Sequence, residues 1–301
     1  MEELEGKLEF FQFLKPYQLQ HEELATLCEE TTKCLEPLKC PAAQEAIDVF
    51  EAACKNWELA NSELMPCMEH FYNALYYEKY RCAKDYDFLT KDLIKRREAF
   101  TYGQSCFQEI AQNECSETVS DYLKSPNYAK AVDVLCVNPN RTSCQSLFYE
   151  LEGMQCKPMS EDVRSRMKKL SFQTVKRGDP ELISLLQLCN YTKECLKTNC
   201  VFGEDEFKSL SSDCQLIELA DTDFIECIQK LANEKPKNLS WLECFKDHDF
   251  STKDEAAKCA LFKEQKGCVK VAMKAFCGDG AVKDFDRDAE LLRSTFLCQN
   301  A

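Results

Sequence analysis

The chain has 301 residues with 38 Lys and Arg against 52 Asp and Glu, a formal net charge of −14. That balance repels both the phosphate backbone of nucleic acid and anionic lipid surfaces. Its 21 cysteines stand several-fold above ordinary usage and mark a disulfide scaffold, while no run approaches the roughly 18 consecutive apolar residues of a membrane span.

Metal offers no competing use for the sulfurs. No Cys-x2-Cys pair occurs, and the three histidines, His21, His70 and His248, lie far apart in the chain, so the pattern of a structural zinc site is missing. No cofactor fingerprint appears either: there is no Gly-x-Gly-x-x-Gly, phosphate-binding loop, His-Glu-x-x-His or EF-hand loop.

Residues 1–20 lack the basic start, apolar run and small-residue cleavage site of a secretory leader. The expectation is a mature chain from which such a leader has been removed. In AQEAIDVFEAAC, Ala43, Ala46, Ile47, Phe50 and Cys54 recur at helical spacing. Pro66 then predicts a helix that starts late or is kinked. The run HFYNALYYEKYRC predicts Phe71, Leu75 and Tyr76 facing a core, with Tyr72, Tyr77 and Tyr80 partly exposed as a partner surface, since exposed tyrosines favour protein contacts. Lys95-Arg96-Arg97 and VRSRMKK (163–169) read as solvated helix faces.

From about 137 to 163, Pro, Asn and Ser mark a connecting segment that holds Cys144 and Cys156. Beyond it Phe207, Leu210 and Cys214 keep one helical face, and DTDFIECIQKL predicts a helix with Asp221 as N-cap. Eight glycines are too few for tight hairpins, and alternating polar–apolar runs are scarce. The fold class expected is all-α.

The cysteines expose an internal duplication, which decides the architecture. Cys28, Cys34, Cys40, Cys54, Cys67, Cys82, Cys106, Cys115 and Cys136 reappear as Cys189, Cys195, Cys200, Cys214, Cys227, Cys244, Cys268, Cys277 and Cys298, displaced by 160 to 162 residues. The stretch FLTKDLIKRR (88–97) has its twin in FSTKDEAAKC (250–259) at the same displacement. The expected organisation is two homologous disulfide-stapled helical domains, 1–136 and 164–301, joined by 137–163.

Helical geometry limits the bridges. Cysteines nine apart on one helix, such as Cys106 and Cys115, are separated by about 13 Å at roughly 1.5 Å per residue, beyond the reach of a disulfide. Bridges must therefore join different helices. Nine shared cysteines also leave an odd one in each copy. Cys259 supplies a tenth in the second copy, where the first has Arg97; Cys144 or Cys156 is expected to serve the first, with one thiol left over that is either buried or open to an intermolecular bridge. Three sequons, at Asn140, Asn190 and Asn238, agree with passage through an oxidising compartment.

In the second copy, Phe224-x-x-Cys227-x-x-Lys230-Leu231, then Cys244, Cys259-x-x-Phe262-x5-Cys268 and Cys277-Gly278, resemble the nematode-expanded cysteine-rich secreted domains catalogued as domain of unknown function nineteen. The first copy departs from that pattern at Leu64, His70, Phe71 and Arg97. The resemblance implies an extracellular helical domain, sometimes in tandem, and brings no catalytic residues with it.

The functional expectation is a secreted glycoprotein without catalytic activity that binds an extracellular protein. A carrier of an apolar small molecule or lipid is the alternative, because 19 Phe, 11 Tyr and 2 Trp are enough to line a cavity. A secreted hydrolase is the remote reading. It rests on His248-Asp249, four residues after Cys244, where an imidazole beside a carboxylate could activate water.

Overall fold

The computed structural model describes residues 21–35, 37, 41–124, 126–137, 147–170, 175–199, 202–233, 241–246, 252 and 254–295. Among the described residues every regular element is helical. The chain divides into two compact units, residues 1–159 with 195–202, and residues 160–194 with 203–301.

The first unit is built from α1 (His21–Leu35), α2 (Pro41–Ala60), α3 (Leu64–Tyr76), a 3-10 turn (Arg81–Asp85), α4 (Leu93–Tyr102), α5 (Gln104–Glu114), α6 (Glu117–Tyr122), α7 (Asn127–Cys136) and α8 (Leu147–Met154). Its core is a cluster of aromatic rings drawn from α3 to α7. Phe71 meets Phe107 at 4.6 Å and Phe88 at 5.4 Å between ring centroids, both edge to face, and Phe100 stands 5.0 Å from Phe88. Edge-to-face contact sets the positive rim of one ring against the negative face of the next, which adds to the gain from burial. Gly103, between α4 and α5, is required by close packing: a Cβ there would lie 2.5 Å from the Ala99 carbonyl oxygen and 2.8 Å from the Phe88 ring.

Two further helices, α9 (Lys157–Lys169) and α10 (Pro180–Thr198), contain two of the three points at which the unit boundaries fall, and the third lies between residues 202 and 203. The second unit continues through α11 (Glu204–Ala220), α12 (Asp223–Asn233), a 3-10 turn (Glu243–Phe245), α13 (Glu255–Phe262), α14 (Lys266–Cys277) and α15 (Asp279–Thr295). Phe224, Leu261, Phe262, Val269, Met273 and Phe285 fill its core, with Phe224 and Phe285 stacked at 5.6 Å.

The twin decapeptides turn out to be helix starts. Asp92 Oδ1 accepts from the backbone N–H groups of Ile94 and Lys95 at 3.0 and 3.3 Å, and Asp254 Oδ1 accepts from Ala256 and Ala257 at 3.0 and 3.2 Å. Thr90 and Thr252 each accept in turn from the N–H of the capping aspartate. A carboxylate at this position satisfies donors that the first helical turn leaves unpaired and faces the positive end of the helix dipole.

Several local expectations change. Pro66 sits in the first turn of α3, where its missing N–H costs no intrahelical bond, so α3 starts one residue later than α12 in the repeat register. Thr222, not Asp221, caps α12: its Oγ1 accepts from Ile225 N at 3.4 Å, while Asp221 accepts from Gly178 N at 2.9 Å. The stretch 137–163, expected as a connection, holds α8 and the start of α9, and Leu147 and Leu151 pack into the first core.

Three disulfides recur in register. Cys28–Cys54, Cys67–Cys115 and Cys82–Cys106 in the first copy match Cys189–Cys214, Cys227–Cys277 and Cys244–Cys268 in the second. All six join different elements, and α5 and α14 are each held at both ends, by cysteines that point to different neighbours. Each such staple contributes about 2–4 kcal/mol, largely by restricting the unfolded chain.

The remaining sulfurs depart from the expected assignment. Cys156 bonds to Cys195, so it does not serve the odd cysteine of the first copy, and Cys195 takes its partner from the stretch expected as a connection. Cys136, expected in a bridge, is a free buried thiol, and Cys34 a free exposed one. Cys259 is disulfide-bonded. Cys40, Cys144, Cys200 and Cys298 lie outside the described residues.

Candidate functional site

Three places gather side chains with chemistry: the aromatic run on α3, a buried polar knot in the first unit, and a concavity in the second. On α3, Phe71 faces the core as its spacing requires, but so does Tyr72, at 1% exposure. Adjacent residues on a helix lie about 100° apart, and α3 packs against both α5 and α8, so its buried arc takes in both rings. Burial holds the Tyr72 hydroxyl well above its usual pKa against the opposing bond with Gln155. Tyr80 is half-buried and donates to Glu114 Oε1 at 2.9 Å. Of the three tyrosines expected to be partly exposed, Tyr77, at 50%, and Tyr80 reach the surface, and Tyr72 does not.

The polar knot centres on Arg96, which the sequence placed on a solvated face and which is 2% exposed. Its Nε donates to Thr90 O at 2.9 Å and its Nη1 to Leu135 O at 3.3 Å. Nη1 also pairs with Glu152. These contacts tie α4 to the end of α7 and to α8. Beside them lies the Cys136 thiol, which burial pushes up to about 11, against the opposing pull of Arg97 and Arg96. The thiol stays protonated in the native state, which makes it a poor nucleophile.

The concavity in the second unit has a volume of about 910 Å3. Leu186, Leu219 and Leu291 supply apolar lining, and Glu218, Asp221, Asp284, Asp288, Arg177 and Arg287 supply charge. The charges are organised by local structure. Asp284 accepts from Asp223 N at 2.9 Å at the start of α12. Arg287 pairs with Asp284 at 3.1 Å and with Asp288 at 2.7 Å; the bond to Asp288 is the main cause that raises its pKa. Arg177 pairs with Asp223, and Glu218 with Lys193 at 3.1 Å. A hollow of four carboxylates and two guanidinium groups over leucine side chains offers hydrogen bonds, charge and apolar contact together.

Sequence reasoning missed this site. In VKDFDRDAELL the acidic and basic residues of α15 follow the pattern of any solvated helix, and what singles out Asp284, Arg287 and Asp288 is the packing of α15 against α11 and α12. The His248-Asp249 pair, Asn140 and Asn238 lie outside the described residues. Asn190 is exposed on α10. Among the described residues no group of three or more His, Cys, Asp or Glu is placed to hold a metal ion, and no helix is long and apolar enough to cross a membrane.

The repeated set of three bridges defines a unit that occurs twice, and the family model described as Domain of unknown function (DUF19) matches the chain twice, over residues 1–145 and 144–299. The chain belongs to the DUF19 family. No curated protein and no solved structure matches it. The two DUF19 domains form a tandem, with the second match beginning where the first ends, and seven disulfides join described residues. A disulfide-rich helical module of this kind suits an oxidising, extracellular setting.

Proposed function

We propose that this DUF19 tandem is a secreted binding protein without catalytic activity, and that its partner is an extracellular protein. The observation that carries the reading is the second-unit concavity, whose mixed charge over Leu186, Leu219 and Leu291 matches the combination found where proteins meet: a desolvated apolar centre ringed by polar groups. Its lining carries more carboxylate than guanidinium, so it favours a segment with basic side chains beside an apolar one.

Packing argues for this reading over the apolar carrier. Phe71, Phe100, Phe107 and Leu123 in the first core, and Phe224, Leu261, Met273 and Phe285 in the second, are fully buried and fill the interior that a carrier would have to keep open. Secretion is supported by the seven bridges and by Asn190, an exposed sequon asparagine. Thr192 of that sequon is buried, and its hydroxyl donates to Leu188 O at 2.8 Å, so a glycan at Asn190 is added before α10 folds.

Capture from native extracellular fluid with the oxidised protein, compared across variants, tests the reading. The parent and Tyr77→Ala retain the same protein partner, and Arg287→Glu together with Glu218→Lys lose it. Retention by the concavity variants, or stoichiometric lipid in place of protein, would overturn it.

A further inference from the structure

Resting on the protein-binding reading, we propose that the hollow in the second unit receives a tyrosine side chain of the partner, in the place that Tyr122 fills in the first unit. The two copies align here without a gap. Cys277 and Cys298 answer Cys115 and Cys136 at one displacement, and the core residues between them agree, Ala281 with Val119 and Phe285 with Leu123, all buried. That register sets Asp284 where the first copy has Tyr122. On the helix that faces them, the register of Cys214 with Cys54 and Cys227 with Cys67 sets Glu218, Leu219 and Thr222 opposite Glu58, Leu59 and Ser62.

In the first unit Tyr122, the last residue of α6, packs against the aromatic core. Its hydroxyl hydrogen-bonds with Ser62 and lies close to Glu58. The second unit keeps these surroundings. Thr222 Oγ1 donates to Leu219 O at 2.6 Å as Ser62 Oγ donates to Leu59 O at 2.7 Å, and Glu218 pairs with Lys193 at 3.1 Å as Glu58 pairs with Lys130 at 2.8 Å. The ring is what it lacks. The Asp284 carboxylate accepts instead from Asp223 N at the start of α12, and Glu218, Leu219 and Thr222 line a hollow of about 910 Å3. Leu186, Leu219 and Leu291 offer walls to a ring, with Glu218 and Thr222 beside its hydroxyl. An aliphatic side chain would leave the ring's space empty, and a phenylalanine would leave the polar end without its bond. Tyrosine is also among the residues that most often anchor a protein interface. The hollow exceeds one ring, so residues flanking the tyrosine enter with it, and Asp284 and Asp288, which share the single guanidinium of Arg287, suit a basic one.

The test is protein-observed NMR on the oxidised full chain with the peptide acetyl-Gly-Lys-Tyr-Leu-Gly amide, its versions with Phe or Ala in place of Tyr, and p-cresol. The Tyr peptide is expected to shift the amide signals of Leu219, Thr222 and Leu291 saturably. The Phe version should bind about fivefold more weakly, the worth of one net hydrogen bond, and the Ala version should give no saturable shift. Asp284→Tyr, which restores the filling of the first copy, abolishes the response. So does Gln215→Trp, which crowds the hollow from an exposed position on α11 and leaves the Asp284 bond to α12 in place. Equal binding of the Tyr and Phe peptides, a response that survives both variants, or no shift at these residues overturns the proposal. Binding of p-cresol as tight as that of the Tyr peptide overturns it in favour of a free phenol. If the peptide fails while Arg287→Glu with Glu218→Lys still loses the captured protein, the tyrosine assignment falls and the protein-binding reading stands; if that double variant keeps the captured protein, the reading itself falls.

Discussion

Arg97 pairs with Asp133 at 2.9 Å at the repeat position where the second copy carries the disulfide-bonded Cys259. The free thiol of Cys136 lies one turn beyond Asp133 on α7 and close enough to Arg97 to feel its charge. In the first copy an ion pair thus stands where the second uses sulfur.

Arg97→Cys is therefore expected to form a bridge with Cys136, detected as loss of two hydrogens from the intact mass and of the Cys136 thiol, which in the parent is alkylated only after unfolding. Closing a loop of this length stabilises by about 2–4 kcal/mol. The lost pair is half exposed at both partners, and such pairs contribute at most about 1 kcal/mol. A higher urea midpoint checks the sign.

Arg96 carries the opposite weight. Arg96→Met takes from Glu152 its ion-pair partner and leaves the Leu135 and Thr90 carbonyls without that donor, and each buried polar group left unpaired costs about 1–3 kcal/mol. Arg97→Ala is expected to cost less than about 1 kcal/mol. Urea unfolding of the two variants should separate them clearly.

Alkali should weaken the first unit. Cys136 is pushed from 9.0 up to about 11 in the native state, so above pH 9 the unfolded chain releases a proton that the folded chain keeps. Stability falls between about pH 9 and pH 11 and the loss levels off above the native value. Burial raises Tyr72 and Tyr128 as well, which extends the decline. Cys136→Ser removes the thiol's share, so its urea midpoint should change less with pH than the parent's.

The two helix starts should respond alike. Asp92→Ala and Asp254→Ala each remove a carboxylate that accepts two backbone N–H bonds, at a cost of about 1 kcal/mol apiece. Asn at either position should restore most of the loss in thermal unfolding.

How far the sequence reached depended on how local each property is. The helix at Ala43–Cys54 was legible because its apolar spacing is set by 3.6 residues per turn. The start of the helix after Thr90-Lys91-Asp92 was legible only as a repeated string, since nothing in the string states that Asp92 accepts from Ile94 and Lys95. Tyr72 was misplaced because a helix packed on two sides buries an arc wide enough for neighbouring rings. Arg96 was misplaced because charge argues for water, while its acceptors come from residues 90, 135 and 152.

By itself the sequence determined the helical class, the duplication and the rule that bridges join different helices, because periodicity, register and the rise per residue all act along the chain. Which sulfurs remain thiols, that Arg96 is buried and that α15 brings Asp284 and Arg287 to a shared hollow were decided only by the tertiary structure, because each depends on the distance between groups remote in sequence. A cysteine's neighbours along the chain do not say whether another sulfur comes within bonding reach.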